Sequence, residues 1–94
     1  MRIFYHGTTD VFPIRKMLLP PAVTGVKREE WREKYTDNVF FTSSLPSAEM
    51  YAKKACKKYG GNPIVYAVEP VGQFFNTVNN EYIANEALIV NVVE

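Results

Sequence analysis

The sequence predicts an α+β domain built on curved, mostly antiparallel sheets. Two observations lead there. The segments run strand, helix, strand, helix and then strands only, an order that does not suit a doubly wound parallel sheet. The chain of 94 residues is also the size of one compact domain, residues 1–94, and 47% of it is apolar, enough for a real core.

Arg2 to His6 is short, apolar and aromatic, and reads as a strand ended by Gly7. Asp10 to Leu19 is expected to hold a short helix, with Thr9 or Asp10 as its N-cap, Pro13 in its first turn and Pro20-Pro21 as its stop. Residues 20–38 are the least regular stretch. Within them Lys27 to Tyr35 is highly charged, with Trp31 as the anchor of a helical turn or two. A connection this long in so small a domain is expected to be functional, as a lid or a substrate-facing loop.

Asn38 to Thr42 is the next strand. Ser47 to Tyr59 is the clearest helix: Leu45-Pro46-Ser47 starts it and Gly60-Gly61 stops it. Ala48, Tyr51, Ala52, Ala55 and Tyr59 fall on one face, with lysines opposite. Ile64 to Val68 is strongly β-type. Pro70 and Gly72 mark a bend, and Gln73 to Phe75 reads as a further strand. Asn76 to Asn80 is turn-rich, and Glu81 to Ala84 and Ala87 to Val93 close the chain as strands.

Composition excludes several functions. The formal net charge is +1, so overall electrostatics do not point to a nucleic acid or a membrane. Lys53, Lys54, Lys57 and Lys58 form a local basic cluster that reads as the solvated face of a helix. One cysteine, Cys56, cannot form an internal disulfide, and one histidine with one distant cysteine does not make a zinc site. No apolar run approaches the roughly 20 residues that span a bilayer, and Met1 to His6 lacks the pattern of a signal peptide. A cytoplasmic protein with no metal and no membrane partner is expected. An exposed edge strand leaves oligomerisation open.

Taken singly, the chemistry-bearing residues have ordinary structural explanations. Their combination and order carry more. Phe4-Tyr5-His6-Gly7-Thr8-Thr9 is an aromatic strand ending in His-Gly-Thr. Val39-Phe40-Phe41-Thr42 follows, then Ser47-Ala48-Glu49-Met50-Tyr51-Ala52, a helix start with an aromatic one turn in. Asn80-Glu81-Tyr82-Ile83 comes last. In this order the four stretches resemble the motifs of the NAD⁺-dependent ADP-ribosyltransferases of the His-Tyr-Glu type. The last is similar to the stretch that carries the catalytic glutamate in poly(ADP-ribose) polymerases. Ile64 to Gly72 resembles a strand and bend of the small rifamycin-modifying transferases, and Pro20 to Gly25 sits where the family has a comparable proline-rich passage. The toxin-like branch fits less well, because His6 stands where it has arginine and Asn79 lies two residues before Glu81.

The resemblance implies two small sheets around an NAD⁺ cleft with one main helix. It also implies roles. Glu81 would be the catalytic carboxylate, stabilising the oxocarbenium-like charge that builds when the bond to nicotinamide breaks, and it would hold the ribose 2′-hydroxyl. His6 would donate a hydrogen bond to the adenosine-side ribose. The backbone of Gly7 would pair with the nicotinamide carboxamide, with Thr8 beside it, and Tyr51 would stack on the ring. Ser47 stands one residue from a family serine that contacts the carboxamide. Phe40 replaces the family's usual tyrosine, keeping the ring and losing the hydroxyl. The implied activity is transfer of one ADP-ribose unit from NAD⁺ to a protein, nucleic acid or small-molecule acceptor. A non-catalytic nucleotide-binding module and a plain NAD⁺ hydrolase are the alternatives. Arg2, Arg15, Lys16, Lys27 and Arg28 are the candidates for pyrophosphate contacts.

Overall fold

The structure is a computed structural model that describes residues 3–12, 16–18 and 38–93. Among the described residues, five strands and one helix follow one another as β1 (Phe4–Thr9), β2 (Met17–Leu18), β3 (Val39–Thr42), α1 (Leu45–Tyr59), β4 (Pro63–Val78) and β5 (Glu81–Val93). Every strand pairing is antiparallel. The domain is of the small α+β kind.

The sheet order is β2-β5-β3-β1-β4, and β4 pairs again with β5. Pairing therefore returns to its starting point, and the strands form one curled sheet rather than the two small sheets expected. The long β4–β5 hairpin makes this closure. Its first half, 63–68, pairs with β1, while the beginning of β5, 81–84, pairs with β3. Register shifts lie between Ala67 and Val68, between Val71 and Phe74, and between Asn76 and Val78. Such bulges bend and twist a ribbon. Gly72, at φ 75°, supplies the left-handed residue that the central one needs. The predicted breaks at Pro70–Gly72 and at 85–86 are thus bends within continuous strands.

Two further expectations are corrected. The helix predicted over Asp10 to Leu19 does not form as drawn. Asp10 to Phe12 make a turn and bend, and Met17–Leu18 is β2, paired with Leu88 and Ala87. The sheet edge on β5 offers these apolar residues backbone partners, including Ile89 N–H to the Lys16 carbonyl at 2.8 Å. That tertiary gain outweighs a weak local helix signal. Likewise β1 does not end at Gly7. It continues to Thr9 because β4 pairs with it as far as Pro63. Arg2, Pro13, Pro20-Pro21 and the charged stretch 27–35 lie outside the described residues.

α1 begins where the residues demand it. The Ser44 side chain accepts from the Ser47 N–H at 3.3 Å, and Pro46 occupies the first turn. Gly60, at φ 84°, ends it, its N–H bonded to the Cys56 carbonyl at 2.8 Å. The helix buries Ala48 and Ala52 against Val65, with Tyr5, Leu45 and Val93 around them. Alternation along β1 sends Phe4 to the opposite face. There it packs in the main core with Val39, Phe41, Tyr66, Val68, Ala84 and Ala87. The Phe4 ring meets Phe41, Phe74 and Tyr82 edge-on, with centroids 5.0–5.3 Å apart.

Asp10 locks the end of β1 to the start of β4. Its carboxylate accepts from the Asn62 N–H at 2.9 Å and from the Asn62 side-chain amide at 3.2 Å. Chiefly the backbone hydrogen bond from Asn62 holds its pKa below the ordinary carboxylate value. A depressed folded-state pKa contributes stability above the unfolded-state value, and that contribution is lost as pH falls through the folded-state value. Thermal melts of wild type and Asp10→Asn should therefore differ at neutral pH and converge in acid. A constant difference at all pH values would remove the charge from the explanation.

Candidate functional site

A pocket opens between β1, β3, α1 and the start of β5. It is lined by Tyr5, His6, Gly7, Phe40, Phe41, Thr42, Tyr51 and Glu81. The cavity itself is about 30 Å³, room for about one water molecule. That is about a tenth of the roughly 300 Å³ at which common ligand clefts begin, so a ligand would lie across its mouth rather than inside it.

Each wall has a local cause. β1 registers with β3 only at Tyr5↔Thr42, whereas it pairs with β4 along its whole length. Beyond Tyr5 the two strands part, and the pocket forms at the split. The His6 Nδ1 lies 2.7 Å from the Phe40 carbonyl and ties the parting strands together. A carbonyl only accepts, so Nδ1 donates in this contact.

Gly7 lines the pocket with its backbone. A Cβ built there would overlap the Ala48 carbonyl of α1 and lie 3.0 Å from the Ala52 nitrogen. The helix behind the strand demands a glycine, independently of any ligand in front. This close approach also brings Tyr51, in the second turn of the helix, to the pocket wall.

Glu81 opens β5 directly after the two-residue turn Asn79-Asn80, where Asn79 has φ 50°. Its side chain is buried, at 2% exposure. The Thr77 hydroxyl lies 3.2 Å from Glu81 Oε2 and 3.3 Å from the Glu81 carbonyl, so its single proton serves one or the other. The Asn76 amide donates to the Glu81 carbonyl at 2.8 Å.

The turn itself is fastened to the end of β3. Buried Thr42 registers with Tyr5 on one side and with Glu81 on the other. Its hydroxyl donates to the Asn80 carbonyl at 2.9 Å, with Asn80 Oδ1 at 3.2 Å, and accepts from the Ser44 N–H at 3.1 Å. The Ser43 N–H reaches the same Asn80 carbonyl at 3.1 Å. Thr42→Val should therefore lower stability by about 1–3 kcal/mol, and Thr42→Ser should recover most of it. Thermal melts of the three proteins check this; a valine variant as stable as wild type would refute it.

Five of the seven residues singled out in the sequence thus line one pocket: His6, Gly7, Phe40, Tyr51 and Glu81. Two do not. Thr8 is buried, registered with Ile64 on β4. Ser47 sits in the first turn of α1, its hydroxyl 3.5 Å from the Asn80 amide. Both are neighbours of the site rather than its walls. Tyr5, Phe41 and Thr42 were missed. They stand within the very motifs that pointed to the site, and strand alternation alone gave no reason to separate them from core residues. Among the pyrophosphate candidates, Lys16 is exposed beside β2, and Arg2, Arg15, Lys27 and Arg28 lie outside the described residues.

Among the described residues no three histidine, cysteine, aspartate or glutamate side chains converge as a metal site would require. No helix among them is long and apolar enough to cross a membrane. No protein-family model and no curated protein matches the chain.

Proposed function

We propose that the nicotinamide half of NAD⁺ binds across this pocket and that the protein transfers ADP-ribose to an acceptor, releasing nicotinamide. The observation that carries the reading is the convergence of His6, Gly7, Phe40, Tyr51 and Glu81 on one pocket, from opposite ends of the chain. Aromatic walls suit a flat cationic ring. The β1 edge beyond Tyr5, where β3 has turned away, offers backbone groups of Gly7 to a carboxamide. Glu81 is the carboxylate among the lining residues, and in this reading it stabilises positive charge at a ribose carbon.

In that reaction the bond between the ribose C1′ and the nicotinamide nitrogen breaks, and its electron pair leaves with neutral nicotinamide. The acceptor nucleophile forms the new bond to C1′ and gives up its proton. Glu81 offsets the positive charge that develops at C1′ and the ring oxygen, and His6 fixes the dinucleotide through a sugar hydroxyl. The reading suits the cytoplasm, where NAD⁺ is plentiful.

The test is to incubate the protein with NAD⁺ and follow free nicotinamide, with mass spectrometry of the reaction mixture for ADP-ribosylated products. Release with ADP-ribose on water alone makes it a hydrolase. His6→Ala should weaken NAD⁺ binding about tenfold, the worth of one net hydrogen bond of roughly 1–1.5 kcal/mol. Isothermal titration measures it, and unchanged affinity would remove His6 from the site. Phe40 favours a second reading, a module that binds the nucleotide without turnover, because no hydroxyl stands at that wall. Tight binding with no nicotinamide release would select it.

A further inference from the structure

We infer that the outer face of α1 is a docking surface for the phosphate backbone of a single-stranded nucleic acid, and that it leads to the pocket. This goes beyond the proposed NAD⁺ chemistry and rests on separate observations. Lys53, Lys54, Lys57 and Lys58 are all exposed. They form two adjacent rows, 53 with 57 and 54 with 58, each one helical turn apart. None of the four is ion-paired among the described residues. Four of the chain's eleven basic residues and one of its ten acidic ones lie on this helix, so the rest of the chain carries a formal excess of two acidic groups. The near-zero net charge therefore conceals a local surplus of three positive charges on this helix, which is the electrostatic footprint of a polyanion site.

The rows do not lie apart from the pocket. The Lys54 ammonium stands 5.9 Å from the centroid of Tyr51, the ring that walls it. Lys58 stands 5.2 Å from the ring of Tyr59, which is 37% exposed. Lysines interleaved with aromatic rings are the composition of grooves that follow single strands. Two other partners fit less well. A membrane-surface helix keeps an apolar face to insert, and here the apolar face, with Ala48 and Ala52, is buried on the sheet. Protein–protein interfaces are depleted in lysine. Joined to the NAD⁺ reading, the surface would make a nucleic acid the acceptor.

The test is fluorescence anisotropy of the full chain with labelled single-stranded RNA and DNA of about 12 nucleotides, within the site sizes of single-strand grooves. Binding should be measurable at low salt. Its affinity should fall with salt with a log–log slope near −3, as four phosphate contacts at about −0.7 each require. Changing all four lysines to glutamine should abolish it, and the Lys54→Gln/Lys58→Gln pair should roughly halve the slope. Lys16→Gln, an exposed lysine beside β2, should change neither. The four side chains being exposed, thermal melts of the variants should match wild type, so loss of binding cannot be mistaken for loss of fold. The inference is overturned by no binding at low salt, by an unchanged slope in the four-lysine variant, by an equal loss in Lys16→Gln, or by capture on vesicles of anionic phospholipid without oligonucleotide binding. Because the readout is binding alone, failure of nicotinamide release leaves it standing.

Discussion

Glu81→Gln is expected to reduce nicotinamide release from NAD⁺ by about 10²–10³-fold while changing NAD⁺ affinity little. The substitution keeps shape and volume, so the packing of a side chain only 2% exposed is preserved. The contact from the Thr77 hydroxyl to Oε2 can also persist, because a glutamine carbonyl accepts as well. What disappears is the negative charge. A neutral amide interacts with the ground-state ligand nearly as well, but it cannot balance the cation that forms as the glycosidic bond breaks. Removing one preorganised electrostatic partner of a transition state commonly costs about 2.7–4 kcal/mol, which is that factor in rate. The loss should fall on kcat rather than KM, since it concerns the transition state. A thermal melt of the variant separates lost chemistry from lost fold. Equal rates for wild type and variant would remove Glu81 from any catalytic role and leave at most a binding pocket.

Gly7→Ala should lower stability by about 3 kcal/mol. The added carbon meets backbone rather than the flexible end of a side chain. It would overlap the Ala48 carbonyl and approach the Ala52 nitrogen to 3.0 Å. α1 would have to lift from β1, exposing Ala48, Ala52 and Val65. For a domain of this size the melting temperature should fall by more than about 12 °C, at roughly 4–8 °C per kcal/mol. Gly60→Ala differs in kind: a Cβ there meets nothing within 4 Å, and its cost, about 1–3 kcal/mol, comes from holding alanine at φ 84°, ψ −171°, a backbone region that is essentially glycine's. If Gly7→Ala melts like wild type, the close helix–strand approach is not what requires glycine at position 7. Because the same approach carries Tyr51 to the pocket wall, Gly7→Ala should also weaken ligand binding in whatever fraction remains folded.

Local signals in the chain were sufficient for several elements. Prolines, glycines and the small–apolar spacing of Ala48 and Ala52 delimit α1, whose observed span, Leu45–Tyr59, differs from the expected Ser47 to Tyr59 only at its start. The apolar runs at 4–6, 39–42 and 64–68 are strands in the structure. These features are legible because they depend on burying one face of a segment, and that requirement repeats with a helix's or a strand's own period.

Tertiary structure decided everything that depends on which segment meets which. Met17–Leu18 became a strand only because the β5 edge was there to pair with them. One curled sheet replaced the expected two because bulges let a single hairpin pair with both β1 and β3. The reason for glycine at position 7 was likewise invisible, since it lies in a helix more than 40 residues further along the chain. His6 and Glu81 acquire a common pocket through Thr42, whose two register partners belong to strands at opposite ends of the sequence. Residue types and their order named the candidate groups. Register, set by pairing and packing across the whole chain, is what brought them together.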